Sequence, residues 1–191
     1  IVFTNQTYKE FNTFNQPYKK ADYLTKIIIK NYNGLEFLLA TALQEKHKAV
    51  KTAAAISLVK ALSSSKLIIN KKPKSAYISS LLNANDMALE SVATYGIKDT
   101  TIISKEEAKI VFMEKLNSLV NTYENPRQKE TYLDIVNTIA YLNDKPKPKI
   151  KTEYNHPIDW DYVKSIPVNQ KVKITTTQGD IIIECKVKDA P

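Results

Sequence analysis

Three glycines in 191 residues leave this chain few places to turn. Glycine alone enters the left-handed region of backbone space without a steric penalty, and its average usage is near 7%. A loop-rich β fold needs many such positions and a stack of helices needs few, so the scarcity points to a mainly helical protein. Apolar residues make up 43% of the chain, enough for a core. The length suits one domain with an appendage. No apolar run approaches the ~18 residues of a membrane span. The chain opens on Ile1 with neither Met nor a signal-peptide pattern, which predicts that Ile1 is an internal boundary of a longer protein.

Hydrophobic spacing places the helices. Tyr8, Phe11 and Phe14 stand three apart and predict a short helix that stops before Pro17. Tyr23, Leu24, Ile27, Ile28 and Ile29 predict a buried helix from Asp22 to about Tyr32, punctuated by Asn33-Gly34. Leu35, Leu38, Leu39, Ala42 and Leu43 form one stripe of a helix reaching about Lys46. From Ala49 to about Leu62, the positions Val50, Ala53, Ala54, Leu58, Ala61 and Leu62 make a face of small residues that permits close approach. Ser63-Ser64-Ser65 ends it. Leu67-Ile68-Ile69 reads equally as a helix end or a buried extended segment.

Ser75–Leu82 and Asn85–Tyr95 read as two more helices, with Gly96 as the C′ residue of the second. Ser104 and Glu107 form a capping box ahead of a helix to Tyr123, with Ala108, Val111, Phe112, Leu116, Leu119, Val120 and Tyr123 on one face. Asn125-Pro126 supplies an N-cap and an N1 proline for a helix through Leu142, with Tyr132, Ile135, Val136, Ile139 and Leu142 inward. The short link predicts that these two helices form an antiparallel hairpin. The Ala-rich segment 49–62 and the Asn85-Asp86 start are similar to HEAT-type repeats, although no clean period recurs. The expected fold is mainly α: helical hairpins in a HEAT-like solenoid or an irregular bundle, with a C-terminal β-hairpin.

Three regions are expected. Residues 1–143 form the helical domain. Residues 144–169 are a linker, because Asp144-Lys-Pro-Lys-Pro-Lys-Ile150 favours extended polyproline geometry and its lysines repel. Within it, Pro157–Val163 predicts a short helical turn capped by Asp159, with Trp160 as a packing anchor between the two parts. Residues 170–191 form the hairpin. Val172, Ile174 and Thr176 alternate with Lys171, Lys173 and Thr175. Ile181, Ile183, Cys185 and Val187 alternate with Ile182, Glu184, Lys186 and Lys188. Gln178-Gly179 offers the positive φ a tight turn needs.

The hairpin resembles the opening of a cyclophilin domain. Lys173-Ile174-Thr175-Thr176, Gly179-Asp180-Ile181, Ile183-Glu184 and Ala190-Pro191 match that family's first strand, turn, second strand and helix approach in order and spacing. The match covers about twenty residues of the 191. The resemblance implies that the parent protein is a peptidyl-prolyl cis-trans isomerase, which needs no metal or nucleotide. The family's Phe-His-Arg and Gln-Gly-Gly motifs have no counterpart here. The resemblance therefore also implies that this chain lacks the active site and that X-Pro clients bind the missing domain. Similarity to envelope proteins that join helical repeats to an isomerase implies a bacterial periplasm or cell envelope.

No residue is assigned a catalytic, cofactor-binding or metal-binding role. His47 and His156 lie in unrelated segments without a carboxylate or Cys at ligand spacing. The glycines stand alone and form no phosphate loop. Glu106-Glu107, adjacent at a helix start, suit the helix dipole better than acid–base chemistry. Cys185, the single cysteine, reads as a buried inert thiol. The net charge of +8 comes from 27 Lys and one Arg, spread along the chain, which disfavours a nucleic-acid partner because Arg is the preferred phosphate and base reader.

Two further readings stand beside the isomerase one: a stand-alone helical protein-binding module, and a Lys-rich domain for an anionic partner. A lone hairpin is marginal in water. A cover is therefore expected for it: the helical body, the Trp160 segment, or a second chain adding strands at its edge. The last is the reading adopted here, and it predicts a homo-oligomer.

Overall fold

The structure is a computed structural model that describes residues 1–67, 71–123, 128–149 and 157–186. It divides into two compact units, Ile1–Lys151 and Thr152–Pro191. Among the described residues there are nine helices and one two-stranded sheet, the mainly helical fold with a C-terminal hairpin that the glycine count and the two periodicities predict.

The first unit contains α1 (Asn5–Thr13), α2 (Pro17–Thr25), α3 (Tyr32–Gln44), α4 (Lys48–Leu62), α5 (Lys74–Leu82), α6 (Met87–Lys98), α7 (Lys105–Val120) and α8 (Lys129–Leu142). Helices α2, α4, α6 and α8 pack in succession as one layer, and α3, α5 and α7 form a second layer against them. Helix α1 and the residues just before it meet α3 through rings: Phe37 stacks on Phe3 at 5.1 Å and takes edge contacts from Tyr8 and Phe11 of α1. The helices of the first layer begin at Pro17, Lys48, Met87 and Lys129, at no constant interval, so this is a stack of helical hairpins without a strict repeat.

Small residues make the stack tight. In α4, Ala53, Ala54, Ala55, Ser57 and Ala61 are buried together with Val50, Leu58 and Leu62. The Ser57 hydroxyl donates to the Leu24 carbonyl at 3.1 Å, which satisfies a carbonyl at the end of α2. In α7, Ala108, Phe112, Leu116 and Leu119 are buried, as their spacing predicts. Val111 and Leu43, placed on apolar stripes from the sequence, are instead exposed.

Several boundaries differ from the sequence reading, each for a physical reason. Helix α2 starts at Pro17, where proline sits at the first helical position without a hydrogen-bond cost, and it ends at Thr25. Ile27-Ile28-Ile29 then runs extended: Ile28 bridges Val2 in parallel, and exposure alternates at 8%, 53% and 4%. That run of β-branched residues reads with period two once the tertiary partner is present. Gly34 lies inside α3, whose N-cap Asn31 accepts from its amide at 3.0 Å. A Cβ at Gly34 would sit 2.8 Å from Ile29 Cδ1.

Gly96 does not end its helix either, since α6 continues to Lys98 with Asp99 as C-cap. A Cβ at Gly96 would lie 2.4 Å from Ile78 Cδ1, so this glycine admits α5. Helix α7 stops at Val120, short of Tyr123, and the Ser104 side chain accepts from the Glu107 amide as half of the expected box. Ile68-Ile69, Asn125-Pro126, Ile150, His156, Val187 and Ala190-Pro191 lie outside the described residues.

Helix α8 ends in a Schellman motif. Asp144 is left-handed at φ 56, Lys145 donates its amide to Ala140, and Asp144 donates to Tyr141. Asparagine and aspartate tolerate that region best after glycine, and Asn85 (φ 52) does the same ahead of α6.

The second unit contains α9 (Trp160–Ser165), capped by Asp159, which accepts from the Tyr162 amide at 2.9 Å as expected. β1 (Lys171–Thr176) pairs antiparallel with β2 (Gly179–Glu184). Thr177-Gln178 form the turn, and Gly179 at φ 127 accepts a conformation other residues resist. Within this unit no residue of α9 is buried, and Trp160 is 51% exposed.

Leu116→Ala removes a fully buried side chain from α7 and is expected to cost about 2–5 kcal/mol in chemical denaturation. Val111→Ala, five positions earlier on the solvent side, is expected to cost no more than about 0.5 kcal/mol. Equal losses would show that the stripe is misassigned. Gly96→Ala is expected to destabilise by about 1–3 kcal/mol as an overpacking change, despite alanine's better helix propensity. A melting temperature at or above that of the parent would contradict the close approach of α5.

Candidate interaction groove

The exposed side of the α4–α6–α8 layer is held in register by carboxylates at helix ends. Asp86 caps the start of α6, accepting from the Ala88 and Leu89 amides, and pairs with Lys51 Nζ of α4 at 2.5 Å. At the other end, Asp99 caps α6 and accepts from the Ser63 hydroxyl of the α4 C-cap at 2.5 Å. The two helices are thus tied start to start and end to end, which fixes them parallel. Between α6 and α8, the Ser91 hydroxyl donates to Asp134 Oδ2 at 2.5 Å.

Burial alone would raise the Asp86 carboxyl, but the Lys51 ammonium and the two cap amides outweigh it and hold it below the usual range. Hydroxyl donation from Ser63, then Thr101, lowers Asp99. Glu90 goes the other way. It is buried in the first turn of α6 with 3% exposure, and burial pushes its carboxyl up, opposed by Lys115 and reinforced by Asp86. Its partner is the Tyr123 hydroxyl just beyond α7, which donates to it.

Over this frame lies an open groove of about 1030 Å³ between α6 and α8, with Thr52 of α4 at its edge. Met87 and Tyr95 supply exposed apolar surface; Ser91, Lys129, Asp134 and Asn137 supply polar groups. Lys98 Nζ lies 4.9 Å from the Tyr95 ring centroid, and burial lowers its pKa while Asp134 opposes that shift. Met and Tyr among mixed polar groups suit a polypeptide segment, which needs apolar contact and hydrogen-bond partners together. A second groove of about 760 Å³ lies between α1 and α3, floored by Tyr8, Phe11 and Phe37.

The residues weighed from the sequence do not converge. His47 precedes α4 and meets the Tyr18 ring edge-on at 5.3 Å. Glu106 and Glu107 stand in the first turn of α7, the place the dipole favours. Cys185 is half-buried just beyond β2, less enclosed than its strand parity suggested. Among the described residues no three His, Cys, Asp or Glu side chains lie close enough to hold a metal ion, and no helix is long and apolar enough to cross a membrane. The groove itself was not legible beforehand, because Thr52, Met87, Ser91, Tyr95 and Asp134 come from three helices held in register by Asp86, Asp99 and the Ser91–Asp134 bond.

Asp86→Ala removes a cap and an ion pair and is expected to cost about 1–2 kcal/mol at neutral pH. Because the Asp86 carboxyl is lowered in the fold, that contribution is present above the usual carboxylate range and fades as pH falls through its folded value. A pH-independent loss would contradict this. The sign reverses for Glu90, whose contribution is greatest when protonated and declines as pH rises from its unfolded to its folded value. Glu90→Gln is therefore expected to raise the melting temperature at pH 7 and to change it less at pH 4. A larger gain at pH 4 would contradict the assignment.

Proposed function

We propose from the chain's own residues, since it matches no family model, no curated protein and no solved structure, that it is the non-catalytic helical interaction region of a cyclophilin-type peptidyl-prolyl cis-trans isomerase acting in protein folding, with β1 and β2 as the opening strands of the isomerase barrel. The hairpin is the observation that carries this. Its register sets Val172 opposite Ile183 and Ile174 opposite Ile181, and Gly179 turns with positive φ at the family's glycine position. All four apolar side chains are between 44% and 52% exposed, as the inner face of a barrel is until its remaining strands close over it.

In this reading the α4–α6–α8 face binds protein or peptide, and the isomerase chemistry belongs to strands and loops beyond these residues. X-Pro isomerisation takes tens of seconds or more uncatalysed, which is why a folding client gains from an isomerase held beside it. The groove between α6 and α8 also supports a helical binding module in its own right, with no isomerase attached.

The coding sequence read past Pro191 tests the first reading. A Phe-His-Arg motif followed by Gln-Gly-Gly within the next several dozen codons is expected. A stop codon, or a continuation without these motifs, leaves the stand-alone module. The purified 191-residue chain is expected to show no acceleration of X-Pro isomerisation in a protease-coupled peptide assay free of host isomerases. Catalysis well above background would contradict the proposal.

A further inference from the structure

Two short extended segments run side by side in the first unit. Ile28 donates its amide to the Ile1 carbonyl at 2.6 Å and accepts from the Phe3 amide at 3.0 Å, so both of its polar groups face residues 1–3. In a parallel pair the groups of the flanking residues then face the other way. The Ile27 amide is already given to Leu24 at 3.3 Å. Among the described residues the Ile27 carbonyl and the Ile29 amide and carbonyl have no hydrogen-bond partner. A cleft of about 220 Å³ borders this run, lined by residues 25–29, by Ser57, Lys60 and Ala61 of α4, and by Ser64 just beyond it. Residues 1–3 take no part in that lining, so the cleft lies along the unpaired edge.

We infer that this edge takes a third strand from a partner: an extended peptide segment that carries a carboxylate beside Lys60. Unpaired N–H and C=O groups on a strand edge select extended backbone, because an extended chain presents its own groups at the matching interval. The facing wall has short side chains in Ser57, Ala61 and Ser64, which leave room for a backbone. Ile27 and Ile29 are enclosed at 8% and 4% exposure, while Ile28 is 53% exposed with Val2 beside it at 45%. A β-branched residue on the partner's outer face continues that apolar surface. Charge sets the rest. The lining holds Lys26 and Lys60 and no carboxylate. Lys26 is bound to Asp22 at 2.5 Å. Lys60 is exposed and makes no ion pair among the described residues. A surface pair adds little affinity but discriminates between strands of opposite charge. Three open backbone groups on one short run make the contact weak and reversible.

The test titrates the isotope-labelled full chain with acetyl-Glu-Val-Thr-Val-Glu-amide, followed by amide NMR. Peptide up to about 5 mM reads a Kd of about 1 mM. The Ile29 amide signal is expected to move downfield saturably, and its hydrogen exchange to slow about sixfold at the highest concentration, as 1 + [L]/Kd requires. The same peptide with its central amides N-methylated is expected to leave Ile29 unmoved. Lys60→Glu is expected to weaken the acidic peptide about fivefold and to strengthen acetyl-Lys-Val-Thr-Val-Lys-amide as much, with the helical circular dichroism unchanged. No movement at Ile29, equal binding of the N-methylated peptide, or a Lys60→Glu chain that binds both peptides as the parent does would each overturn the inference. So would an Ile29 amide protected in the free chain, which puts another part of this chain on the edge. An Ile29 signal that moves with protein concentration alone makes the partner a second copy and overturns it too. The inference does not rest on the isomerase reading or on the groove between α6 and α8. Movement confined to Tyr95 and Asn137 overturns it and leaves that groove's role standing.

Discussion

Helix α4 touches α2, α3, α5 and α6 because its side chains are small. Alanine and serine on several of its sides let four backbones approach where a leucine-rich helix would hold them apart, and close packing then gives many weak contacts at once. The rest of the unit depends on that approach. Ser57 closes the end of α2, while Lys51 and Ser63 take the two capping aspartates of α6. The face that α4, α6 and α8 present is the outward side of the same arrangement.

Much of this was legible and some was not, and glycine shows why. A glycine can be required by backbone angle or by volume, and the sequence does not say which. Gly179 answers to angle, and alternation on both sides made that readable. Gly34 and Gly96 answer to volume, against Ile29 and Ile78, so reading them as punctuation shortened one helix and displaced another. The left-handed positions fell to Asn85 and Asp144. Ile27-Ile28-Ile29 had the composition of either a buried helix or a strand, and only the bridge to Val2 separates the two. The α7 stripe was readable because cap and spacing agree. The groove was not, because its residues meet through ties between helices distant in sequence.

The second unit follows another logic. Its hairpin has a sound turn and register but no residue that is fully buried in β1 or β2. The chemistry of its two faces differs: Val172, Ile174, Ile181 and Ile183 make an apolar block on one of them. A charged face with its own ion pair is already satisfied in water.

Native-state hydrogen exchange of the first unit tests the central claim directly. If small-residue packing around α4 holds the stack together, the amides of Ala54, Ala55, Leu58 and Leu62 exchange only on global unfolding and are among the slowest in the chain, with α1 and α8 opening earlier. If α4 exchanges as fast as the terminal helices, while α7 or another element sets the global rate, α4 is not the organising element and this account of the fold is wrong.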